Sequence, residues 1–208
     1  MNDLNRKKHW EQIYQTKELK DVSWYQPTPT VSLSFLEQFQ IPHEAKIIDI
    51  GGGDSLLVDH LLQLGYRNIT VLDISEKALE KAKERLGEGA KKVNWIIADA
   101  AVFEPTEKYD FWHDRATFHF LTQKNEITHY LDTIKKNLNF NGVLVIGTFS
   151  EQGPEKCSGL RVKQYSENSM TKLLINFFEK IKCISEEHIT PFKTLQQFIF
   201  CSFRNKAF

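Results

Sequence analysis

Residues 45–55, AKIIDIGGGDS, constrain the fold more than any other stretch of the chain. Ala45 to Ile50 is a short β-rich run of strand length whose apolar residues are interrupted by Lys46 at its start and Asp49 near its end, and a strand apolar on both faces belongs inside a parallel sheet covered by helices. Gly51, Gly52 and Gly53 follow at once, so the backbone can turn sharply and approach a ligand with no Cβ in the way. Beyond them Leu56, Leu57, Leu61, Leu62 and Leu64 group on one helical face, which Gly65 ends. Strand, glycine turn and helix in that order begin a βα unit.

The alternation continues. Asn68 to Asp73 (NITVLD) reads as a second strand, and Ser75 caps the helix SEKALEKAKERLG, with Ala78, Leu79, Ala82 and Leu86 on one face and Gly87 as its stop. Val93 to Ala98 and Tyr109 to His113 supply strands three and four. Gly142 to Phe149 supplies a fifth after the helix ITHYLDTIKKNL. Ser166 then caps a helix reaching about Phe178. IKCISEEHIT and TLQQFIFCSF follow, separated only by the turn at Pro191-Phe192, which suits an antiparallel hairpin and is too short for a crossover helix. With 208 residues, no repeats and no low-complexity linker, one domain is expected over 1–208, made of a leader (1–44) and a core (45–208). A hydrophobic fraction of 41%, including 15 Phe and 4 Trp, is enough to cover a sheet on both faces.

Lys plus Arg and Asp plus Glu stand at 27 each, so no global positive field exists to hold a nucleic acid or an anionic membrane. The N-terminal MNDLNRKKHWEQIY is charged throughout, and no stretch approaches the roughly 20 apolar residues of a membrane span. Cys157, Cys183 and Cys201 are odd in number, widely spaced and without a C-x-x-C pair, so no disulfide framework and no metal site is expected. Cys183 and Cys201 fall on the hairpin strands, where cysteine behaves as a small core residue. A cytoplasmic protein in a reducing compartment, with neither nucleic acid nor membrane as partner, is the expectation.

Three successive strands end in aspartate: Asp49, Asp73 and Asp99. Asp73 lies about 20 residues past the glycines, where a carboxylate accepts hydrogen bonds from both ribose hydroxyls of a nucleoside. Asp99 can meet an exocyclic adenine amine, with Ile74 and Ala100 as apolar surface for the ring. A dinucleotide would place its pyrophosphate at the helix N-terminus, where Asp49 and Asp54 are unwelcome, and the G-x-G-x-x-G spacing fails because residue 56 is Leu. The crevice suits a nucleoside that carries positive charge and no phosphate.

DIGGGDS is similar to the D-x-G-x-G-x-G loop of the class I S-adenosylmethionine-dependent methyltransferases, departing from it at Ser55, where the third glycine would stand. The resemblance extends from about Ala45 to Phe203. It implies an α/β, doubly wound, Rossmann-like, seven-stranded, mostly parallel sheet with an antiparallel C-terminal hairpin. It also implies S-adenosylmethionine as cofactor, with Asp49 and the backbone of Gly51, Gly52 and Gly53 at its methionine portion, Asp73 at the ribose, and Asp99 with Ile74 and Ala100 at the adenine. Tyr109 to Leu121, YDFWHDRATFHFL, resembles the fourth motif of small-molecule methyltransferases, including the W-D-R stretch of thiopurine methyltransferase-like proteins. HWEQIY with VSWYQ resembles the leader of that group and of some protein-lysine methyltransferases.

The leader's Trp10, Tyr14, Trp24 and Tyr25 form either an amphipathic helix on the sheet edge or a flap over the cofactor's methionine end. His113, Asp114, Arg115 and His119 are the catalytic candidates. His113 or His119 would accept a proton, and Arg115 would pair with Asp114 or with the methionine carboxylate. Cys157 and Tyr165, on the long polar loop 151–166, are candidates to touch the acceptor. A small-molecule or thiol acceptor stands ahead of a protein lysine. A NAD-dependent oxidoreductase and a cofactor-binding module without turnover are the rivals.

Overall fold

The computed structural model describes residues 3–206; Met1, Asn2, Ala207 and Phe208, which the expected domain includes, lie outside the described residues. The leader forms helices α1 (Asp3–Thr16) and α2 (Thr30–Gln38). The core then runs β1 (Lys46–Ile50), α3 (Leu57–Gln63), β2 (Asn68–Asp73), α4 (Glu76–Leu86), β3 (Val93–Ile97), β4 (Tyr109–Arg115), α5 (Lys124–Asn137) and β5 (Leu138–Phe149). A two-stranded excursion, β6 (Lys156–Cys157) and β7 (Leu160–Arg161), precedes α6 (Glu167–Leu174), β8 (Glu179–Ile189) and β9 (Leu195–Arg204).

Seven strands make one sheet in the order β3-β2-β1-β4-β5-β9-β8. The first five are mutually parallel, while β9 runs antiparallel to β5 and to β8. This is the doubly wound, Rossmann-like arrangement that the family resemblance implies, with the terminal hairpin that the sequence pattern predicts. Alternate residues of each strand feed two cores. Ile47, Val71, Phe111 and Val145 pack with Phe35 and Leu61 of α2 and α3, whereas Ile48, Leu72, Trp112 and Ile146 pack with Ile134 and Leu174 of α5 and α6. Strand order reverses between β1 and β4, and open α/β sheets bind ligands at the carboxyl ends of the strands beside such a reversal.

Local chemistry sets the boundaries. The Ser75 side chain accepts from Ala78 N to start α4, and Gly87 ends it at φ 55°. β4 runs on to Arg115, past the expected His113, because pairing with β5 continues to Arg115 opposite Gly147. α6 stops at Leu174 rather than near Phe178, since the chain turns there to carry Phe178 into the core. Cys183 and Cys201 correct the expectation of separate core thiols. They are register partners across the hairpin, with Cα atoms 4.1 Å apart, and form a disulfide. An odd cysteine count concealed one pair and one free thiol, Cys157, so spacing gives no argument for a reducing compartment. Among the described residues no helix is long and apolar enough to cross a membrane.

Candidate functional site

The turn after β1 forms the floor of the site. Gly51 has φ +66° and Gly52 N donates to Leu72 O at 3.1 Å, which ties the loop to β2. A Cβ on Gly52 would come within 2.6 Å of Asp49 Oδ2 and 2.7 Å of Val71 Cγ1, so only glycine fits the cradle. β1 and β4 pair Asp49 with His113, and that register brings Asp49 Oδ1 to 2.7 Å from His113 Nδ1. His113 Nε2 lies 2.9 Å from Ser32 Oγ on α2. Both ring nitrogens are thus engaged.

Asp73 closes β2. Its Oδ1 accepts from Ser75 N at 2.8 Å, but burial pushes the carboxyl up to about 7, with the charges of Asp54, Asp49 and Glu11 acting in the same direction. Asp99, past the end of β3, is held from the leader: Arg6 Nη1 donates to its two oxygens at 3.0 and 2.9 Å, and Ala101 N donates to Oδ1 at 2.9 Å. The other arm of Arg6 reaches Glu126 at 2.5 Å.

One cavity runs along this edge, with Asp49, Asp73, Asp99, Gly51 and Gly52 on one side and Ile74 and Ala100 as apolar wall. Trp10, Tyr14 and Trp24 of the leader face them. These rings support one another edge to face, Trp10 to Trp24 at 5.8 Å and Tyr14 to Trp24 at 6.2 Å. Gly53 does not line the cavity; it lies under Tyr14, whose hydroxyl would be 2.6 Å from a Cβ placed there. α1 is anchored by Glu11, whose carboxylate accepts from Ser75 Oγ, Glu76 N and Lys77 N at 2.9, 2.8 and 3.1 Å across the N-terminus of α4.

Of the catalytic candidates, His113 and Arg115 line the cavity while Asp114 and His119 do not. Asp114 accepts from Tyr130 Oη at 2.5 Å and from Thr117 N and Phe118 N, and burial raises its carboxyl to about 6. It closes the turn after β4 and makes no pair with Arg115. His119 Nδ1 accepts from Phe149 N at 3.3 Å, and burial, helped by the charge of Arg115, lowers the imidazole to about 3, so it is neutral at physiological pH. Arg115 Nη1 donates to Trp24 O at 3.2 Å and its guanidinium lies 4.9 Å over the Phe198 ring. Cys157 lines the cavity with its thiol pushed up to about 11 by burial, whereas Tyr165 packs on Phe118 away from it. Arg6, Glu11 and Ser32 carry no signal in the sequence, because each acts across the leader-to-core contact.

Residues 48–144 match a family described as "Methyltransferase domain". The chain is 28% identical over 106 residues to malonyl-[acyl-carrier protein] O-methyltransferase 2 of Ilyobacter polytropus, a match covering 50% of this chain and 39% of that one. It is 26% identical over 160 residues to EEF1A lysine methyltransferase 2 of Danio rerio, covering 69% and 68%. A SAM-dependent methyltransferase structure from Anabaena variabilis superposes with TM-score 0.76 at 15% identity, covering 97% of this chain and 96% of that one. The chain thus spans about two fifths of the length of the Ilyobacter relative and shares its fold along nearly its whole described length with the Anabaena structure.

Proposed function

We propose that the chain, whose residues 48–144 match a methyltransferase-domain family, is a class I S-adenosylmethionine-dependent methyltransferase that transfers the methyl group of S-adenosylmethionine to a small-molecule or thiol acceptor held beneath the leader. The observation that carries this reading is the convergence of Asp49, Asp73 and Asp99 on one cavity beside a glycine cradle. Such a cavity favours a cationic nucleoside over a polyphosphate. When bound, the cofactor supplies a methyl group on a positively charged sulfur. The protein's own part is then positioning and exclusion of water.

In this reading Asp73 accepts the ribose hydroxyls and Gly51 and Gly52 let the backbone approach the amino-acid end. His113 holds Asp49 in place. It is a positioning residue, since taking a proton from an acceptor would cost its bond to Asp49 or Ser32. The aromatic rings of the leader supply a dry wall. Methylation of a protein lysine is the second reading, favoured by the likeness to the Danio rerio enzyme over two thirds of both chains. The covered cavity favours the small acceptor.

Calorimetry tests the proposal: the protein binds S-adenosylhomocysteine with a saturable isotherm and gives no heat with NAD. Saturation by NAD together with silence toward S-adenosylhomocysteine would overturn it. Incubating cell extract with radiolabelled S-adenosylmethionine then separates the two acceptor classes, label moving into small molecules on the first reading and into protein on the second.

A further inference from the structure

Two arginines line the cavity, and they are used differently. Arg6 is spent on Asp99 and Glu126. Among the described residues Arg115 makes one hydrogen bond, from Nη1 to a backbone carbonyl, while its Nε and Nη2 are shielded from solvent with no hydrogen-bond partner. A guanidinium presents its donors as a fork that matches a carboxylate, and leaving part of that fork dry and unpaired is unfavourable unless a ligand completes it.

The direction of the side chain says which ligand. The aspartates assigned to the donor lie at the ends of β1, β2 and β3, on one side of β4. Arg115 leaves β4 toward the other side: its register partner on β5 is Gly147, which has no side chain to block it, and the guanidinium ends over Phe198 on β9. β9 is two strands from β4, about 10 Å at ordinary strand spacing. Glu186 on β8 and Asp49 are the acidic groups whose charges act on Arg115; Glu186 Oε1 accepts from Gln26, its Oε2 has no hydrogen-bond partner among the described residues, and neither carboxylate is within ion-pair distance of the guanidinium. Burial raises the Glu186 carboxyl, against the opposing charge of Arg115 and the bond from Gln26, so the guanidinium faces a carboxyl that it does not contact.

The approach is also basic. A second cavity, sharing Arg6 and Phe120 with the first, is bordered by Lys156 and Arg161 of the β6–β7 excursion, and neither of these is in an ion pair among the described residues. Trp10, Trp24 and Phe120 form the apolar surface between this mouth and Arg115, with Trp10 5.1 Å from Phe120.

We propose that the acceptor carries a carboxylate on an aromatic or otherwise apolar body, and that Arg115 is the residue that binds that carboxylate; the inference rests on the methyl-transfer reading above. The Trp24 carbonyl occupies Nη1, so the carboxylate docks on the free edge made by Nε and Nη2, next to the segment that carries Trp24.

The test uses the full chain saturated with S-adenosylhomocysteine, with benzoate as probe and benzamide as its uncharged match, read by tryptophan fluorescence. Benzoate gives a saturable change and benzamide binds at least about tenfold more weakly. Arg115→Gln brings benzoate down to the level of benzamide and leaves affinity for S-adenosylhomocysteine and for 5′-methylthioadenosine intact, which also certifies its fold. Should Arg115→Gln fail to bind 5′-methylthioadenosine, Arg115→Lys decides, since it keeps the charge, loses the fork and should bind benzoate more weakly than the parent. Equal binding of benzoate and benzamide overturns the inference, as does undiminished benzoate binding in the folded variants. Loss of S-adenosylhomocysteine affinity with 5′-methylthioadenosine affinity retained in Arg115→Gln also overturns it, because the guanidinium would then belong to the donor's own carboxylate. A parent that does not bind S-adenosylhomocysteine sinks the methyl-transfer reading itself; one that binds it but ignores benzoate sinks only this inference.

Discussion

Asp73 shows how burial prepares a group for a ligand. Burial raises its carboxyl to about 7 against the Ser75 amide, its one hydrogen-bond donor among the described residues, so the native protein holds a proton there that the unfolded chain releases near 3.8. The native state therefore binds more protons than the unfolded state between those values, and this residue's contribution to stability falls as pH rises from about 4 to 7. The difference in melting temperature between the parent and Asp73→Asn, followed from pH 5 to 8, should drift against the parent; a flat difference would refute the raised value. Ribose hydroxyls donating to Asp73 favour its charged form, so S-adenosylhomocysteine should bind more tightly at pH 8 than at pH 6 and release protons on binding, measurable by calorimetry in buffers of different ionisation enthalpy. Asp73→Ala should weaken that binding by about 1.5 to 3 kcal/mol, the range for hydrogen bonds to a charged group. The Asp49 to His113 contact was latent in the sequence, since two neighbouring parallel strands in register place them opposite one another. Arg6 to Asp99 was not, because no local pattern connects residues 93 positions apart.

Among the elements, the leader helix and the terminal hairpin differ most from what their sequences announce. α1 has no clean apolar stripe, since it docks through specific polar contacts as much as through its rings. Glu11 satisfies the free amides at the start of α4 where Ser75 alone would leave some bare. Glu11→Ala should therefore lower stability by about 1 kcal/mol in chemical denaturation, without loss of secondary structure; an unchanged midpoint would mean that water caps α4 equally well. The hairpin was legible from its short turn, yet its disulfide was not, although Cys183 and Cys201 are equidistant from Phe192 in the turn and so face each other in a regular pairing. The register depends on where the turn is centred, and a shift of one residue would have moved both side chains out of reach. Closing a loop over 18 residues should contribute about 3 kcal/mol, so the double variant Cys183→Ala/Cys201→Ala and the dithiothreitol-treated parent should lose similar stability. Agreement between the two assigns the effect to the bond rather than to the packing of the sulfur atoms.

At the scale of the whole molecule, the core was readable because its strands and helices obey strong periodicities and a parallel sheet admits few connections, whereas the leader's place was not, because nothing in its periodicity says which edge of the sheet it covers. In the structure it lies against α4 and faces the carboxyl ends of the strands, with Arg6, Trp10, Tyr14 and Trp24 all lining the cavity. Its chain connectivity is dispensable for the sheet, and α2, which carries Ser32, begins only at Thr30. Removing residues 1–26 should accordingly leave a folded core with a cooperative thermal transition, though a less stable one, since Glu11 no longer caps α4 and Asp99 and Glu126 lose Arg6. If the leader is a lid, the truncated protein keeps measurable affinity for 5′-methylthioadenosine through Asp73, but its affinity for S-adenosylmethionine falls and methyl transfer falls further, because lids commonly complete a site and exclude water from it. In the full chain, tryptophan fluorescence should change on binding of S-adenosylhomocysteine, and the change should shrink in Trp24→Phe. A truncated protein that binds and turns over as the parent does would reduce the leader to packing, and one that cannot fold would place Trp10, Tyr14 and Trp24 in the core rather than over the site.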